Sequence, residues 1–443
     1  MDVKVSAAKQ VRGSVRTGGD KSVSHRYAML AGIAEGTSEF ENFSTSADCA
    51  STLACMEAMG ARVRRNGNHV EVDGVAVNGA GALQAPLREL DCGNSGSTMR
   101  MLSGVVAAQP FTSTMVGDAS LSKRPMRRVI EPLEQMGARI ESRDGCAPLT
   151  IHGAKLRALE YTPPVASAQV KSCVLLAGLF AEGETTVNEP VRTRDHTELA
   201  LRAFGGEVRR DGNRVTVQGG YLSGGSVSVG SLSGAKKLRA LKAYVPGDLS
   251  SVTFFLCAAA IFPGSSLLVD SVLLNPTRSV VLDVLSGMGL NVHFLKVEDQ
   301  HGELVGTMQA EGGVFQGGTI RGEQSAALID ELPAIAAVAP YSARGVEIRD
   351  AAELRVKESD RISAVVQNLR AMGAEVEEFP DGMRVPGGQK LRGAKVESFD
   401  DHRIAMAFAV AALRAEGETT IGGAEAVAVS FPEFFEALHK VVE

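Results

Sequence analysis

Residues 19–26 read Gly-Asp-Lys-Ser-Val-Ser-His-Arg, and they separate a short apolar alternation from a longer apolar run. This order predicts a strand, a glycine turn and the start of a helix. The first turn of an α-helix presents N–H groups without intrahelical partners and the positive end of the helix dipole. Because Lys21 and Arg26 add two cations there, the stretch suits a phosphate or a carboxylate. The alternative is an ordinary helix cap followed by solvated charges.

Composition indicates a soluble globular protein with more than one core. The chain has 443 residues, of which 44% are hydrophobic and 22% charged. A chain of this length usually forms two or more domains. The net charge of −6 and the absence of Trp argue against a nucleic-acid-binding protein. Any anion site must therefore be a local concentration of cations.

Metal and membrane signals are missing from the sequence. The six cysteines form no CxxC pair, and no Cys/His spacing typical of a metal site occurs. We therefore expect no metal. The first residues lack the apolar core of a signal peptide, and no apolar run is long enough to cross a bilayer. We expect a cytoplasmic protein with no membrane partner.

One unit recurs six times along the chain. Each copy has an apolar helix, a glycine turn, a β-like run, a second helix and a further β-like run. A polar lead-in precedes each first helix, and the lead-ins start roughly 70 to 85 residues apart. They lie at 20–22, 94–98, 167–169, 247–251, 330–333 and 401–403.

The lead-in helices are apolar on all sides, which predicts that they are buried. The sequence thus predicts an α/β fold of two inside-out domains, each of three repeated βαβαββ-like units with pseudo-threefold symmetry. We expect one domain to comprise 1–20 and 245–443 and the other 21–244, with crossovers near 18–22 and 242–247. A Gly/Ser-rich, turn-like stretch at 219–234 precedes the second crossover. The helix starts would line an active site in the cleft between the domains.

Cations concentrate near the lead-ins and the loops that follow them. They are Lys21, Arg26, Arg100, Lys123, Arg124, Arg127, Arg192, Arg194, Lys357, Arg361 and Arg403. Such a set in an acidic protein predicts a multiply charged anionic ligand. Asp330, Glu358 and Asp401 lie among these cations, where a carboxylate can act as a general base. Structural ion pairing is the alternative for each acid.

A series of motifs resembles a known family. They read Gly-Asp-Lys-Ser-Val-Ser-His-Arg at 19–26, Gly-Asn-Ser-Gly at 93–96, Lys-Arg-Pro-Met at 123–126, Ser-Ala-Gln-Val-Lys-Ser at 167–172, Thr-Arg-Asp-His-Thr-Glu at 193–198, Asn-Pro-Thr-Arg at 275–278, Leu-Arg-Val-Lys-Glu-Ser-Asp-Arg at 354–361, Asp-His-Arg-Ile-Ala-Met at 401–406 and Ser-Phe-Pro-Glu-Phe at 430–434. In this order and over nearly the whole chain, the set resembles the 5-enolpyruvylshikimate-3-phosphate synthase family of enolpyruvyl transferases.

The resemblance implies an activity and its substrates. Members transfer the enolpyruvyl group of phosphoenolpyruvate (PEP) to the 5-hydroxyl of shikimate 3-phosphate and release phosphate, through a tetrahedral intermediate. The step belongs to the shikimate pathway to aromatic amino acids. The resemblance also implies two inside-out α/β domains that close on these small molecules, without a cofactor. We further expect a monomer.

Site residues follow from the resemblance motif by motif. Those for shikimate 3-phosphate are Lys21, Ser22, Arg26, Ser167, Ala168, Gln169, Arg194, Asp330 and Lys357. Those for PEP are Lys21, Gly96, Arg124, Gln169, Arg361 and Arg403. Asp330 is the candidate base for the attacking hydroxyl, and Glu358, Lys21 and His402 are the candidates for proton transfer at the PEP methylene carbon. Gly96 lies where the herbicide glyphosate packs in sensitive relatives.

Two other functions compete with this interpretation. The related transferase that acts on UDP-N-acetylglucosamine carries a reactive Cys in a mobile loop, whereas the corresponding region, 118–128, has none here. A non-catalytic sensor of phosphorylated metabolites would need the cations but not Asp330, Glu358 and His402. The chain also departs from the common family pattern, with Gly18-Gly19 in place of Pro-Gly and no Lys at 428–429.

Overall fold

The computed structural model describes residues 1–75, 83–220 and 237–443. Most of the Gly/Ser-rich stretch 219–234 therefore lies outside the described residues. The chain divides into two compact units. Unit 1 comprises Met1–Gly18, Pro246–Asp299 and Leu304–Glu443, and unit 2 comprises Gly19–Val245 and Gln300–Glu303.

Short strands make up much of both units. In chain order they are β1 (Val3–Val5), β2 (Arg12–Val15), β3 (Thr37–Glu41), β4 (Arg62–Asn66), β5 (His69–Asp73), β6 (Leu90–Asp91), β7 (Thr112–Val116), β8 (Arg139–Arg143), β9 (Cys146–His152), β10 (Glu160–Tyr161), β11 (Glu184–Asn188), β12 (Val208–Asp211), β13 (Arg214–Gln218), β14 (Lys242–Tyr244), β15 (Ser266–Leu273), β16 (Leu290–Gln300), β17 (Glu303–Gly312), β18 (Gly318–Ile320), β19 (Val346–Ile348), β20 (Glu377–Phe379), β21 (Gly382–Val385), β22 (Lys395–Glu397) and β23 (Thr419–Gly422).

Helices alternate with these strands. The α-helices are α1 (Lys21–Ile33), α2 (Ala47–Ala58), α3 (Gly96–Val106), α4 (Arg127–Gln135), α5 (Ala168–Gly178), α6 (His196–Ala203), α7 (Leu249–Ala260), α8 (Val280–Gly287), α9 (Glu323–Ala327), α10 (Leu332–Val338), α11 (Arg361–Ala371), α12 (His402–Ala412) and α13 (Phe434–Val441). None of the described helices combines the length and the hydropathy that a membrane span requires.

The sheets repeat one arrangement, a parallel pair extended by antiparallel strands. In unit 2 the strand orders are β14-β3-β5-β4, β6-β7-β9-β8 and β10-β11-β13-β12. In unit 1 they are β16-β17-β15-β2, β18-β19-β21-β20 and the shorter β1-β23-β22. Strand β14 pairs in parallel with β3, and β2 pairs in parallel with β15, so strands distant in sequence complete one sheet in each unit.

Tight turns join the antiparallel strands. Asp144 and Gly145, between β8 and β9, have φ angles of 53° and 77°. Positive φ at both central residues is the type I′ geometry that matches the twist of a hairpin, and it favours Asp-Gly sequences. The local sequence therefore determines this hairpin.

Buried helices form the centre of each unit. Every residue of α7 and of α12 is buried, as is every residue of α10. Helices α10 and α12 pack against each other in unit 1, as do α3 and α5 in unit 2. The sheets present exposed residues on their other face, for example along β4 and β16. The prediction of a two-domain α/β fold is confirmed.

Side-chain caps determine where most of these helices begin. The carboxylate of Asp20 accepts a hydrogen bond from the Val23 N–H at 2.8 Å, and the Asp401 carboxylate accepts one from the Arg403 N–H at 2.9 Å. Ser95, Ser167 and Asp248 cap α3, α5 and α7 in the same way. Five of the six polar lead-ins therefore cap helices, and they place the residues that follow them at the helix N-termini, whereas α10 has no side-chain cap.

Candidate active site

Lys21 is the first residue of α1, and its charge is paired within unit 2. Its Nζ donates a hydrogen bond to Oδ2 of Asp48 at 2.8 Å. Asp48 lies in the first turn of α2, which Ser46 caps. The Lys21 side chain keeps 17% of its surface exposed, whereas that of Asp48 keeps 8%. The ammonium group is thus fixed at a helix N-terminus and is still accessible to a ligand.

Arg26 lies one turn deeper in the same helix and is buried. Its Nε donates to Thr197 Oγ1 at 2.6 Å, its Nη2 to Ser172 Oγ at 2.8 Å, and its Nη1 to the Ser22 carbonyl at 2.7 Å. Burial lowers the pKa of the Arg26 guanidinium to about 10, and the positive charge of Arg194 adds to this effect. Two like charges held near each other favour an anion between them.

The N-terminus of α5 carries the next three predicted ligands. Ser167 caps the helix, and Ala168 and Gln169 are its first two residues. The Gln169 Oε1 accepts from Arg100 Nη1 at 2.8 Å, while its Nε2 donates to Ser97 Oγ at 2.9 Å. The Gln169 amide is therefore oriented by two residues of α3.

Gly96 opens α3 beside two guanidinium groups. A Cβ atom at position 96 would lie 2.9 Å from Arg100 Nη1 and 3.5 Å from Arg124 Nη1. Arg124 is held in place by Asn94, whose side-chain Oδ1 accepts from Nη2 at 2.8 Å. The helix N-terminus and two arginines thus converge on a residue without a side chain, which suits a small anion.

In unit 1, Asp330 lies among cations at the start of α10. Its Oδ1 is 3.6 Å from Lys357 Nζ and 3.6 Å from Arg361 Nη1. Arg403 Nη1 donates to the Asp330 carbonyl oxygen at 2.7 Å. Asp330, in the loop before α10, therefore contacts residues from the turn before α11 and from the start of α12.

Arg361 is the most deeply buried cation of this group, with 1% of its side chain exposed. Its Nη2 donates to Glu358 at 2.5 Å and its Nε to Asp401 at 2.8 Å. Burial acts to lower the pKa of Arg361, but Asp401, Glu358 and Asp330 outweigh it and raise the pKa. His402 is buried next to Asp401, with 4.0 Å between Nδ1 and Oδ1.

The predicted residues thus form two groups. Unit 2 holds Lys21, Ser22, Arg26, Gly96, Arg124, Ser167, Ala168, Gln169 and Arg194. Unit 1 holds Asp330, Lys357, Glu358, Arg361, His402 and Arg403.

The predicted set omits several residues that hold these side chains in place. Asp48 and Asn94 are examples, and each binds a predicted ligand directly. The sequence places Asp48 in the first turn of a capped helix, where an acid is common. That position does not show that its partner is Lys21. Asn94 opens the lead-in 94–98, so the sequence alone could have indicated it as a site residue.

Comparisons with known proteins agree with the motif order. Residues 5–438 match the family model described as EPSP synthase (3-phosphoshikimate 1-carboxyvinyltransferase). The chain is 60% identical over 442 residues to the 3-phosphoshikimate 1-carboxyvinyltransferase of Koribacter versatilis, covering 100% of this chain and 99% of the relative. It is 52% identical over 444 residues to that of Solibacter usitatus, covering 100% of both chains.

Solved structures give the same result. An EPSP synthase structure from Acinetobacter baumannii superposes with a TM-score of 0.85 and 40% sequence identity, over 100% of this chain and 98% of the other. Sequence, fold and motif order therefore lead to one conclusion: the chain belongs to the EPSP synthase family.

Proposed function

We propose that this enzyme joins shikimate 3-phosphate to PEP. The 5-hydroxyl oxygen attacks C2 of PEP while a proton is added at C3, which gives a tetrahedral intermediate. Loss of a proton from C3 and cleavage of the bond to the phosphate oxygen then give 5-enolpyruvylshikimate 3-phosphate and inorganic phosphate. The reaction is a step of the shikimate pathway.

The observation that carries this proposal is the environment of Asp330. Its carboxylate lies 3.6 Å from both Lys357 and Arg361, and Arg403 binds its carbonyl group. Cations at this distance favour an ionised carboxylate, which is the form that accepts a proton. We therefore assign Asp330 as the base for the attacking hydroxyl, with Lys357 beside the ring hydroxyls.

For the phosphate of shikimate 3-phosphate we propose the residues around the starts of α1 and α5. Lys21 and Ser22 begin α1, Ser167, Ala168 and Gln169 begin α5, and Arg26 and Arg194 supply charge. Helix N-termini and guanidinium groups are both favourable partners of a dianion. The mutual proximity of Arg26 and Arg194 supports this assignment.

For PEP we propose Lys21, Gly96, Arg124 and Gln169 together with Arg361 and Arg403. These cations would offset the negative charge that develops as phosphate leaves. We assign proton transfer at C3 to Glu358, with Lys21 and His402 as the alternatives. The 2.5 Å contact between Glu358 and Arg361 supports a fixed orientation of that carboxylate.

The two rival functions lack comparable support. The 118–128 segment, where a reactive Cys would be expected, contains none, and Cys146 lies outside it, although its thiol donates to the Lys123 carbonyl at 3.7 Å. A passive sensor would not need the buried pairing of Arg361 with Glu358 and Asp401. A cytoplasmic location and a monomeric state stay predictions.

Acceptor specificity tests the proposal. The purified enzyme should release phosphate from PEP when shikimate 3-phosphate is added, and should show no release above background with UDP-N-acetylglucosamine. Turnover with the nucleotide sugar and none with shikimate 3-phosphate would favour the rival transferase. Binding of shikimate 3-phosphate by calorimetry without any turnover would favour a sensor.

A further inference from the structure

Unit 2 contains a buried cluster of two cations and two acids that the proposed chemistry does not use. Lys171 Nζ of α5 lies 2.9 Å from Glu198 of α6 and 3.0 Å from Glu189, which follows β11. Arg210 Nη2 of β12 lies 2.7 Å from each of the same two acids. Lys171, Glu189 and Glu198 keep at most 2% of their side chains exposed.

The cluster is electrically balanced, which allows it to be buried. Burial acts to raise the pKa of Glu189, but Lys171, Thr193 and Arg210 outweigh it and lower the pKa. Removal of one member of a buried ion pair leaves an uncompensated charge and is strongly unfavourable. The cluster therefore fixes α5, α6, β12 and the segment after β11 relative to one another.

Glu189 has a second set of partners. Its Oε1 accepts a hydrogen bond from the Thr193 backbone N–H at 2.9 Å and a short one from the Thr193 hydroxyl. These two bonds tie the end of the segment 189–193 to the cluster. The next residue in the chain is Arg194.

Arg26 is connected to the same cluster from the other side. Its guanidinium donates to Thr197 and Ser172, and these residues adjoin Glu198 and Lys171 in sequence. The Thr197 and Ser172 hydroxyls also lie 2.6 Å apart. Arg26 thus contacts sequence neighbours of the ion cluster directly, and Arg194 follows Thr193, which the cluster binds.

We propose that Glu189 is a positioning residue that, through Thr193, sets the place of Arg194 for the phosphate of shikimate 3-phosphate. The inference rests on the proposed function, and specifically on the assignment of Arg194. The effect on KM should be selective for shikimate 3-phosphate, because Arg194 is not among the residues assigned to PEP. Loss of the Thr193 hydroxyl should weaken the use of shikimate 3-phosphate and spare that of PEP.

The test is Thr193→Val in the full chain, since valine keeps the shape of threonine and removes the hydroxyl. We expect KM for shikimate 3-phosphate to rise about tenfold, the scale of one hydrogen bond to a charged group. KM for PEP and kcat should change less than about twofold. Thr193→Ser restores the hydroxyl and should return KM to near the wild-type value. Thr193→Ala also removes the hydroxyl and leaves the charge of Glu189 in place, so it provides a second route if the valine variant does not fold, with the same selective rise expected.

Thr186→Val is the matched control. Thr186 is also buried in unit 2, where its hydroxyl pairs with that of Thr216 at 2.9 Å. It contacts none of the residues proposed to bind substrate. We therefore expect Thr186→Val to lower the melting temperature about as much as Thr193→Val does, and to leave KM for both substrates unchanged. Equal rises in KM for shikimate 3-phosphate in the two valine variants would overturn the inference.

A double-mutant cycle with Arg194→Gln identifies the route of the effect. If Thr193 acts through Arg194, Thr193→Val should add less than about twofold to KM in the Arg194→Gln background. A tenfold effect in both backgrounds would overturn the positioning role while leaving the proposed function intact. An Arg194→Gln enzyme with unchanged KM would instead remove the Arg194 assignment, and with it the inference. Absence of wild-type turnover would contradict the proposed function itself.

Discussion

The ammonium group of Lys21 lies 2.8 Å from the carboxylate of Asp48, which joins the N-terminus of α1 to the first turn of α2. In unit 2, Lys21 is the residue that we propose for both substrates and also as an alternative to Glu358 for proton transfer. Asp48 therefore determines the position of the Lys21 ammonium group.

Asp48→Asn tests this pairing. The variant keeps the size of the side chain and removes its charge, which weakens the contact that holds the Lys21 ammonium in place. We expect KM to rise about tenfold for both substrates, since Lys21 is shared between them. Glu57→Gln, an exposed change on the same helix, serves as control in steady-state kinetics. A rise confined to one substrate would contradict the shared role of Lys21.

Gly96→Ala tests the space at the start of α3. The added methyl would lie 2.9 Å from Arg100 and 3.5 Å from Arg124, so at least one guanidinium must move. Overpacking of this kind costs about 1–3 kcal/mol, and we expect KM for PEP to rise about tenfold or more. KM for shikimate 3-phosphate should rise less, since Arg100 reaches the residues assigned to that substrate only through Gln169. Gly287→Ala, where a methyl would meet open space, is the control.

Asp330→Asn tests the assignment of the base. The amide cannot accept the hydroxyl proton, so kcat should fall by about 10²- to 10⁴-fold. The dissociation constant of shikimate 3-phosphate, measured by calorimetry, should change far less. Asp283→Asn, an exposed change in the same unit, should leave both quantities unaltered. Equal losses in turnover and in binding would mean that Asp330 only binds the substrate.

The lowered pKa of the buried His25 predicts that the free energy of unfolding depends on pH. Burial, followed by the charges of Lys21 and Arg26, lowers its pKa well below the ordinary value of 6.5. The folded protein thus keeps His25 neutral, while the unfolded chain takes up a proton below that value. The contribution of His25 to the free energy of unfolding is fully present above pH 6.5 and decreases as the pH falls toward the folded-state pKa. The decrease is at most about 1.4 kcal/mol per pH unit.

His25→Gln should therefore reduce the fall in melting temperature between pH 7 and pH 5.5. The exposed His439→Gln should leave the wild-type profile unchanged. A His25→Gln profile as steep as that of the wild type would show that other groups cause the acid sensitivity.

The helix starts could be predicted from the sequence because their causes are local. Asp20 and Asp401 cap helices that begin one residue later, and the apolar runs behind them indicate burial. The α/β class and the order of the repeats follow from the same local patterns.

The pairings inside each group could not be predicted in this way. Arg361 and Asp401 are 40 residues apart, and Lys21 and Asp48 are 27 apart. Their contacts depend on how whole helices pack, and a single sequence does not encode which of many acids meets a given cation. The ion cluster of Lys171, Glu189, Glu198 and Arg210 escaped prediction for the same reason.

The most direct test of the central claim is phosphate release from PEP by the purified enzyme. We predict that release depends on shikimate 3-phosphate and that one enol ether forms for each phosphate released. Release at the same rate without shikimate 3-phosphate would contradict the transfer reaction. So would its absence when calorimetry shows that both substrates bind.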